Sequence, residues 1–152
     1  MPAVPAAPLE ALEPFRQGRL PSGSTRVAAV IGDPVRHSLS PVLHNAGFQA
    51  AGLDWVYVAL PVPAGGAPAA LEAMRLFGLG GLSVTMPHKE AVAAALHGRL
   101  SESARLLGAV NCVRWDGDEL HGENTDGGGF VDSLRLEAGT DPAGAHAVLL
   151  GA

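Results

Sequence analysis

The chain has few of the features that mark secreted, membrane or nucleic-acid-binding proteins. Its single cysteine, Cys112, excludes an internal disulfide framework and suits a reducing compartment. The formal net charge is −5, and the sequence contains no run of Lys or Arg. Both observations argue against a nucleic-acid or anionic-membrane surface. No stretch approaches the roughly 20 apolar residues that span a bilayer. Residues 1–8 lack the charged start and apolar core of a signal peptide, so we expect a cytoplasmic protein.

Several common kinds of chemical site are also missing. The six histidines show no metal-ligand spacing and there is no cysteine cluster, so we expect no metal site. The sequence has no serine-hydrolase elbow. The glycine-rich segment 78–81 follows a predicted helix and leads into a strand, the reverse of a dinucleotide fingerprint, so it indicates a helix end and a turn. Glycines 127–129 indicate close packing at a domain junction, and Cys112 indicates a small buried strand residue.

What remains is the pattern of an α/β protein. The chain has 152 residues, 47% hydrophobic and 16% charged, enough for one full domain with its own core. Strands alternate with helices, which predicts a three-layer, mainly parallel sheet with helices on both faces. A hairpin turn at 116–118 adds an antiparallel late strand. The predicted elements are strands over 27–31, 55–60, 82–85, 109–115 and 119–122, and helices over 41–52, 67–77, 87–96, 101–107 and 128–138.

The two ends of the chain differ from this middle part. Residues 1–24 are rich in proline and predict a loose leader. After a linker-like break at 140–142, an apolar strand over 147–150 runs into Gly151, which is how a Rossmann domain begins. We therefore expect a substrate domain over 25–123, an interdomain helix and linker over 124–143, and the first strand of a truncated Rossmann domain over 144–152.

Polar side chains collect where ligands bind in a parallel sheet, beyond the carboxyl ends of its strands. They are hydroxyls, an amide, an amine and a carboxylate, without an aromatic wall. Because each hydroxyl of a ligand needs both donors and acceptors, such a set suits a small polyhydroxylated molecule. The candidate residues are Ser38 and Ser40 after the first strand, Thr85 and Lys89 after the third, and Asn111 and Asp126 after the later strands.

Each of these residues also has a purely structural interpretation. Lys89 lies in the first turn of a predicted helix, where the helix dipole disfavours a cation. It is either a general acid–base lysine or a solvated surface lysine beside Glu90. Asp126 either serves in the site or caps the following helix, and Ser40, before Pro41, is a good N-cap.

Four short sequence blocks in a fixed order favour the functional interpretation of these residues over the structural one. They are Gly-Asp-Pro-Val-Arg-His-Ser-Leu-Ser-Pro at 32–41, Ser-Val-Thr-Met-Pro-His-Lys at 83–89, Gly-Ala-Val-Asn at 108–111 and Asn-Thr-Asp at 124–126. From about residue 27 to its end, the chain closely resembles the shikimate dehydrogenase family. Four blocks in the family's order are far more specific than any one of them.

The resemblance implies roles for individual residues. Ser38 and Ser40 match the serines that bind the carboxylate of shikimate. Thr85 and Asn111 match positions that contact the ring hydroxyls or the carboxylate region. The catalytic pair is implied by the match of Lys89 to the family's lysine and of Asp126 to its carboxylate partner.

One position departs from the family pattern. Ser83 stands where many members have asparagine, so a shorter hydroxyl replaces an amide and substrate affinity or choice is affected. The serine pair favours shikimate over quinate. Gly151 and Ala152 match the start of the cofactor loop, and the rest of that loop is absent from this sequence.

The implied activity is the NADPH-dependent, reversible reduction of 3-dehydroshikimate to shikimate in chorismate and aromatic amino acid biosynthesis. We expect this chain to hold the substrate-binding half and not to transfer hydride by itself. The alternatives are a quinate/shikimate or aminoshikimate dehydrogenase, or an inactive truncated binding module. The expected partners are shikimate, 3-dehydroshikimate and NADP(H), with no nucleic acid and no membrane, and a homodimer is compatible with the resemblance.

Overall fold

A computed structural model of the chain describes residues 20–148 and residue 150. Within that part, ten helices and strands alternate much as the hydrophobic pattern predicts. The strands are β1 (Arg26–Gly32), β2 (Trp55–Pro61), β3 (Gly81–Val84), β4 (Cys112–Asp116) and β5 (Glu119–Glu123), and the helices are α1 (Ser40–Ala50), α2 (Ala67–Phe77), α3 (Lys89–Ala95), α4 (Glu102–Leu107) and α5 (Asp126–Leu136).

The strands form one mixed sheet in the order β2-β1-β3-β4-β5. Strand β1 pairs in parallel with β2 and β3. Strand β4 is antiparallel to both of its neighbours, so four strands run in one direction and β4 runs against them. The expected parallel sheet with an antiparallel late strand is confirmed.

Helices cover both faces of the sheet, which confirms the three layers. On β1, Ala29 and Ile31 belong to the larger core, which includes buried residues of α2, α3 and α4. Ala28 and Val30 belong to a smaller core on the opposite face, against which Phe48 of α1 packs. Because both faces of a central parallel strand are covered, β1 has no polar side chain between residues 27 and 31.

Glycines end helices where the sequence predicts it. Gly78, directly after α2, has φ 62° and its N–H bonds back to carbonyls of the last turn, the left-handed end that glycine adopts without steric cost. Gly81 then begins β3. The glycine-rich segment 78–81 is therefore a helix end and a turn, as predicted.

The start of α1 differs from the prediction. Ser40 is the first residue of the helix and makes no side-chain cap. Its N–H instead donates to Oγ of Ser38 at 3.2 Å. The reason is that Leu39 already has helical backbone angles, which moves the accepting hydroxyl one step earlier to Ser38.

Strand β4 begins later than predicted, at Cys112, which is partly exposed. The segment before it is bonded to other elements. The N–H of Ala109 bonds to the carbonyl of Ala104 at the end of α4, and that of Val110 bonds to the carbonyl of Lys89. Because these groups are already used, the ladder with β5 starts only afterwards.

Helix α5 begins at Asp126 and so contains glycines 127–129. A Cβ added at Gly128 or Gly129 would meet no atom within 4 Å, and one at Gly127 would meet only Leu107 at 3.5 Å. Close packing at Gly128 and Gly129 is therefore not made by the described residues, and the expected domain junction stays a prediction.

The predicted C-terminal strand is not formed at residues 147, 148 and 150, and Val148 and Leu150 are exposed. A strand needs a neighbour to receive its backbone hydrogen bonds, and the five-stranded sheet is complete without this segment. Gly151 and Ala152, and residues 1–19 of the expected leader, lie outside the described residues. No helix among those described is long and apolar enough to cross a membrane.

Gly32, the last residue of β1, allows the approach of the segment that follows β3. An added Cβ would lie 2.4 Å from Cγ2 of Thr85 and 3.1 Å from the carbonyl oxygen of Met86. We predict that Gly32→Ala lowers the free energy of unfolding by about 1–3 kcal/mol, because the β-branched Thr85 has little room to move. Urea unfolding measures the change.

The matched control for this variant is Gly47→Ala in the middle of α1, where an added Cβ meets nothing within 4 Å. Alanine in a helix interior is favoured over glycine by roughly 0.5–1 kcal/mol, so this variant should be more stable than the parent. Equal stability changes in the two variants would contradict the role assigned to Gly32.

Candidate functional site

The carboxyl ends of β1 and β3 meet the starts of α1, α3 and α5 at one edge of the sheet. A cavity of about 380 Å³ opens there, the size of a small-molecule site. The structure brings together all seven side chains proposed from the sequence for substrate binding or catalysis. They line this cavity: Ser38, Ser40, Ser83, Thr85, Lys89, Asn111 and Asp126.

A short polar contact in the cavity joins Lys89 and Asp126. Lys89 Nζ donates to Asp126 Oδ2 at 2.6 Å, and the side chains are 35% and 52% exposed. The hydrogen bond from Lys89 lowers the pKa of Asp126 below its ordinary value of 3.8, opposed by burial and assisted by a hydrogen bond from Asn111. Asp126 is therefore a carboxylate at neutral pH.

Asn111 holds this carboxylate in place. Its Nδ2 donates to Asp126 Oδ1 at 2.8 Å and to Thr125 Oγ1 at 2.9 Å. Its Oδ1 accepts the N–H of Thr125 at 3.0 Å. With both amide hydrogens used inside the protein, Asn111 retains only one lone pair of Oδ1 for a ligand.

Asn124 is a functional residue that the sequence analysis did not assign individually. It is only 7% exposed, its Nδ2 donates to the carbonyl of Ala109, and its Oδ1 accepts the N–H of Asp126 at 3.0 Å. It therefore supports the first residue of α5 from below. The sequence feature that could have identified Asn124 is its position in the Asn-Thr-Asp block at 124–126.

The capping alternative for Asp126 is wrong. The carboxylate makes no side-chain cap of α5 and points to Lys89 and Asn111 instead. Asn124 already satisfies the backbone N–H of Asp126, and the ammonium of Lys89 is the stronger partner for a carboxylate.

Lys89 is fixed by its neighbours on both sides. Its carbonyl accepts the N–H of Val110 at 3.0 Å. The preceding His88 is 1% exposed, and its Nε2 lies 2.7 Å from the carbonyl oxygen of Val62. The solvated surface alternative for Lys89 is not what the structure shows, because the amine is ion-paired at the cavity.

The composition carries a second signal for Lys89. Of the ten Lys and Arg residues in the chain, it is the only lysine. A guanidinium stays protonated in proteins, whereas an amine can give up and recover a proton. The one side-chain amine of the sequence therefore lies in the cavity.

The hydroxyls occupy the other walls. Ser38 accepts the N–H of Ser40, and Thr85 donates its own backbone N–H to the carbonyl of Ile31. Ser83 Oγ accepts a hydrogen bond from the phenol of Tyr57 at 2.6 Å, a contact that sequence reasoning missed. Among the described residues, no group of three or more His, Cys, Asp or Glu could hold a metal ion.

The lowered pKa of Asp126 makes a prediction about stability. A depressed pKa stabilises the fold above the ordinary value of 3.8, and this contribution is lost as the pH falls through the folded-state pKa. We predict that Asp126→Asn lowers the free energy of unfolding by no more than about 1 kcal/mol at about pH 6, since the pair is half exposed. The difference should shrink as the pH falls below 3.8 and vanish below the folded-state pKa of Asp126.

Urea unfolding of the parent and of Asp126→Asn across that pH range tests this. The control is Asp132→Asn, which removes an exposed carboxylate from the same helix. A stability difference for Asp126→Asn that stays constant down to the lowest pH would contradict the assignment of the shift.

Comparison with known proteins follows the same residues. The family of the shikimate dehydrogenase substrate binding domain matches residues 30–113, more than half of the chain. The chain is 47% identical to a shikimate dehydrogenase (NADP(+)) of Geobacter metallireducens over 86% of its own length and 46% of the relative. It is 50% identical to that of Rubrobacter xylanophilus over 86% and 45%.

Solved structures agree in fold. A crystal structure of shikimate dehydrogenase in complex with NADP+ matches with a TM-score of 0.75 and 37% identity, over 80% of this chain and 42% of the other. One of shikimate 5-dehydrogenase from Listeria monocytogenes with shikimate and NAD matches with a TM-score of 0.72 and 41% identity, over 79% and 41%. The chain thus spans a little under half the length of the relatives it matches. From the matched domain and the four blocks that line its cavity, we conclude that this chain belongs to the shikimate dehydrogenase substrate-binding domain family.

Proposed function

We propose that the complete protein is a shikimate dehydrogenase, catalysing the reversible, NADPH-dependent reduction of 3-dehydroshikimate to shikimate in chorismate and aromatic amino acid biosynthesis. The observation that carries the proposal is the Lys89–Asp126 pair, 2.6 Å apart, in a cavity lined by four hydroxyl side chains. An amine beside an ionised carboxylate is an arrangement that can take up the hydroxyl proton when an alcohol is oxidised.

Lys89 and Asp126 divide the work on one substrate oxygen. In the direction of reduction, the ammonium of Lys89 gives a proton to the keto oxygen, which becomes the 3-hydroxyl. In the direction of oxidation, the amine takes that proton back. Asp126, held ionised by Lys89 and Asn111, accepts a hydrogen bond from the hydroxyl and keeps the amine oriented.

The remaining walls bind the rest of the substrate. We assign Ser38 and Ser40 to the carboxylate, which hydroxyl donors near a helix start can receive. Thr85 and Ser83 are assigned to the ring hydroxyls. Asn111 contributes only as an acceptor through Oδ1, because both of its amide hydrogens already bind Thr125 and Asp126.

When bound, NADP(H) supplies or takes up the hydride. The residues expected at the start of its loop, Gly151 and Ala152, lie outside the described residues. We propose that residues 25–123 form the substrate domain, 124–143 the interdomain helix and linker, and 144–152 the first strand of the cofactor domain. We propose NADP(H) as the cofactor because the curated relatives are named as NADP(+) enzymes. One structural neighbour was solved with NADP+ and another with NAD, so the activity of the complete protein should be assayed with each cofactor. Light scattering on the complete protein tests the expected homodimer.

One comparison favours a second substrate class. The 5-ketofructose reductase of a Gluconobacter strain matches with a TM-score of 0.70 and 34% identity. Its name indicates reduction of 5-ketofructose. Assays of the complete protein should therefore include 5-ketofructose beside shikimate and quinate, and preference for the ketose would replace the proposal.

We predict that Lys89→Ala lowers kcat for shikimate oxidation by about 10²–10⁴-fold, the usual contribution of a general acid–base group. Lys89→Arg should be equally impaired, because a guanidinium keeps the charge without exchanging its proton. The control Arg75→Ala removes a surface cation that pairs with Glu72 and should be as active as the parent. Steady-state kinetics of the complete protein decide, and an active Lys89→Arg enzyme would contradict proton handling by Lys89.

We also predict that Ser38→Ala weakens shikimate binding by roughly tenfold or more, because hydrogen bonds to a charged group contribute about 1.5–3 kcal/mol. Isothermal calorimetry on the complete protein measures the change. Ser133→Ala, an exposed hydroxyl on α5, serves as the control. Methyl shikimate, which has no charged carboxylate, should bind Ser38→Ala and Ser133→Ala with similar Kd. An unchanged Kd of Ser38→Ala for shikimate itself would refute the assignment.

A further inference from the structure

Tyr57 is the only tyrosine in the chain, and it lies outside the cavity wall. Its side chain is 4% exposed, and its hydroxyl donates to Ser83 Oγ at 2.6 Å. Tyr57 is on β2 and Ser83 on β3, the two neighbours of β1. The side chain therefore crosses β1, at a place where its register partner is the small Ala28.

Helix α1 holds Tyr57 in this position through three of its side chains. Asn45 donates its amide to the carbonyl of Tyr57 at 2.9 Å and accepts the Tyr57 N–H at 2.8 Å. The ring of His44 stacks on the phenol ring, with centroids 4.2 Å apart and planes at 17°. Phe48 packs against it at 6.5 Å in a tilted arrangement. A side chain fixed at its backbone and ring has little freedom left at its hydroxyl.

The phenol keeps its proton for Ser83. Burial raises the pKa of Tyr57 above its ordinary value of 10.0, more than the hydrogen bond with Ser83 lowers it. The phenol is therefore protonated, and it donates to Ser83 Oγ, which accepts.

This direction determines what Ser83 offers to a ligand. Among the described residues, the hydrogen bond from Tyr57 is the one that the Ser83 hydroxyl makes, and Ser83 lines the cavity. Because Tyr57 occupies one lone pair of Ser83 Oγ and no described residue uses the hydroxyl proton, that proton is available to a ligand in the cavity. Hydrogen bonds in such a chain also polarise one another, so the donor at the end of the chain is strengthened.

We propose that Tyr57 is a positioning residue that orients the Ser83 hydroxyl to donate its proton to an acceptor oxygen on the ring of bound shikimate. The proposal rests on the proposed function, because it takes shikimate as the ligand. An asparagine at residue 83 would present an amide donor and a carbonyl acceptor, whereas Ser83 bonded to Tyr57 presents one oriented hydroxyl donor and a single remaining lone pair. The pair therefore selects substrates that carry an acceptor at this point.

A double-mutant cycle on the complete protein tests this inference. The variants are Tyr57→Phe, Ser83→Ala and their combination, and Kd and KM for shikimate are measured beside kcat. Tyr57→Phe removes one oxygen and leaves the ring to pack as before. We expect Kd and KM to rise by about 3- to 10-fold in each single variant, with a smaller change in kcat. In the Ser83→Ala background, Tyr57→Phe should change Kd by less than about twofold.

Two further readouts separate positioning from a general loss of structure. Thr25→Val removes a hydroxyl that donates to Asp54 at 2.7 Å, before the start of β1, and should leave Kd unchanged. Among mono-deoxy analogues of shikimate, one should lose the Tyr57→Phe penalty, namely the analogue without the oxygen that Ser83 contacts. Thermal unfolding confirms that each variant is folded.

The outcomes distinguish this inference from the proposed function. If the parent binds and oxidises shikimate but Tyr57→Phe leaves Kd unchanged, the positioning role is overturned and the proposed function stands. Penalties of Tyr57→Phe and Ser83→Ala that multiply in the double variant overturn it in the same way. A parent protein that neither binds nor oxidises shikimate overturns both.

Discussion

The site depends on one contact, the 2.6 Å hydrogen bond between Lys89 and Asp126. It joins the first residues of α3 and α5, which are 37 residues apart in the chain. Each partner is held by a second element, since the carbonyl of Lys89 accepts from Val110 and the carboxylate of Asp126 accepts from Asn111. Charges half open to water interact weakly by themselves, so it is the bracing by neutral hydrogen bonds that keeps the pair together.

The fold provides this bracing through its mixed sheet. Residues 85–111, which include α3 and α4, connect β3 to β4. Because β4 is antiparallel, the loop before it returns to the carboxyl end of β3, where Val84 donates to the carbonyl of Asn111 at 2.8 Å. The hairpin partner β5 then ends at the same edge and delivers Asn124 and Asp126. The late reversal of the sheet thus places two of the four blocks beside the other two.

Helix α1 carries part of the site although it lies at the surface. It has no buried residue, so it is not anchored by a broad apolar stripe. It is instead attached by the amide of Asn45 on the backbone of Tyr57 and by the rings of His44 and Phe48. The loop that precedes α1 contains Ser38. The helix itself contacts Tyr57 of β2, whose hydroxyl donates to Ser83. Two walls of the cavity are therefore set by the same helix.

The amino-acid sequence by itself determined the alternation of strands and helices, the late antiparallel strand, and the set of seven side chains in the cavity. These features follow from local periodicity and from four short blocks, which need no knowledge of distant contacts. The tertiary structure alone decided how each side chain is used. In the tertiary structure Asp126 pairs with Lys89 instead of capping α5. Both amide hydrogens of Asn111 are donated to protein groups, and the hydroxyl of Tyr57 reaches Ser83 across β1. Hydrogen-bond partners of this kind are chosen by which groups the packed sheet brings within about 3 Å of one another, and that choice is not written in any single segment of the chain.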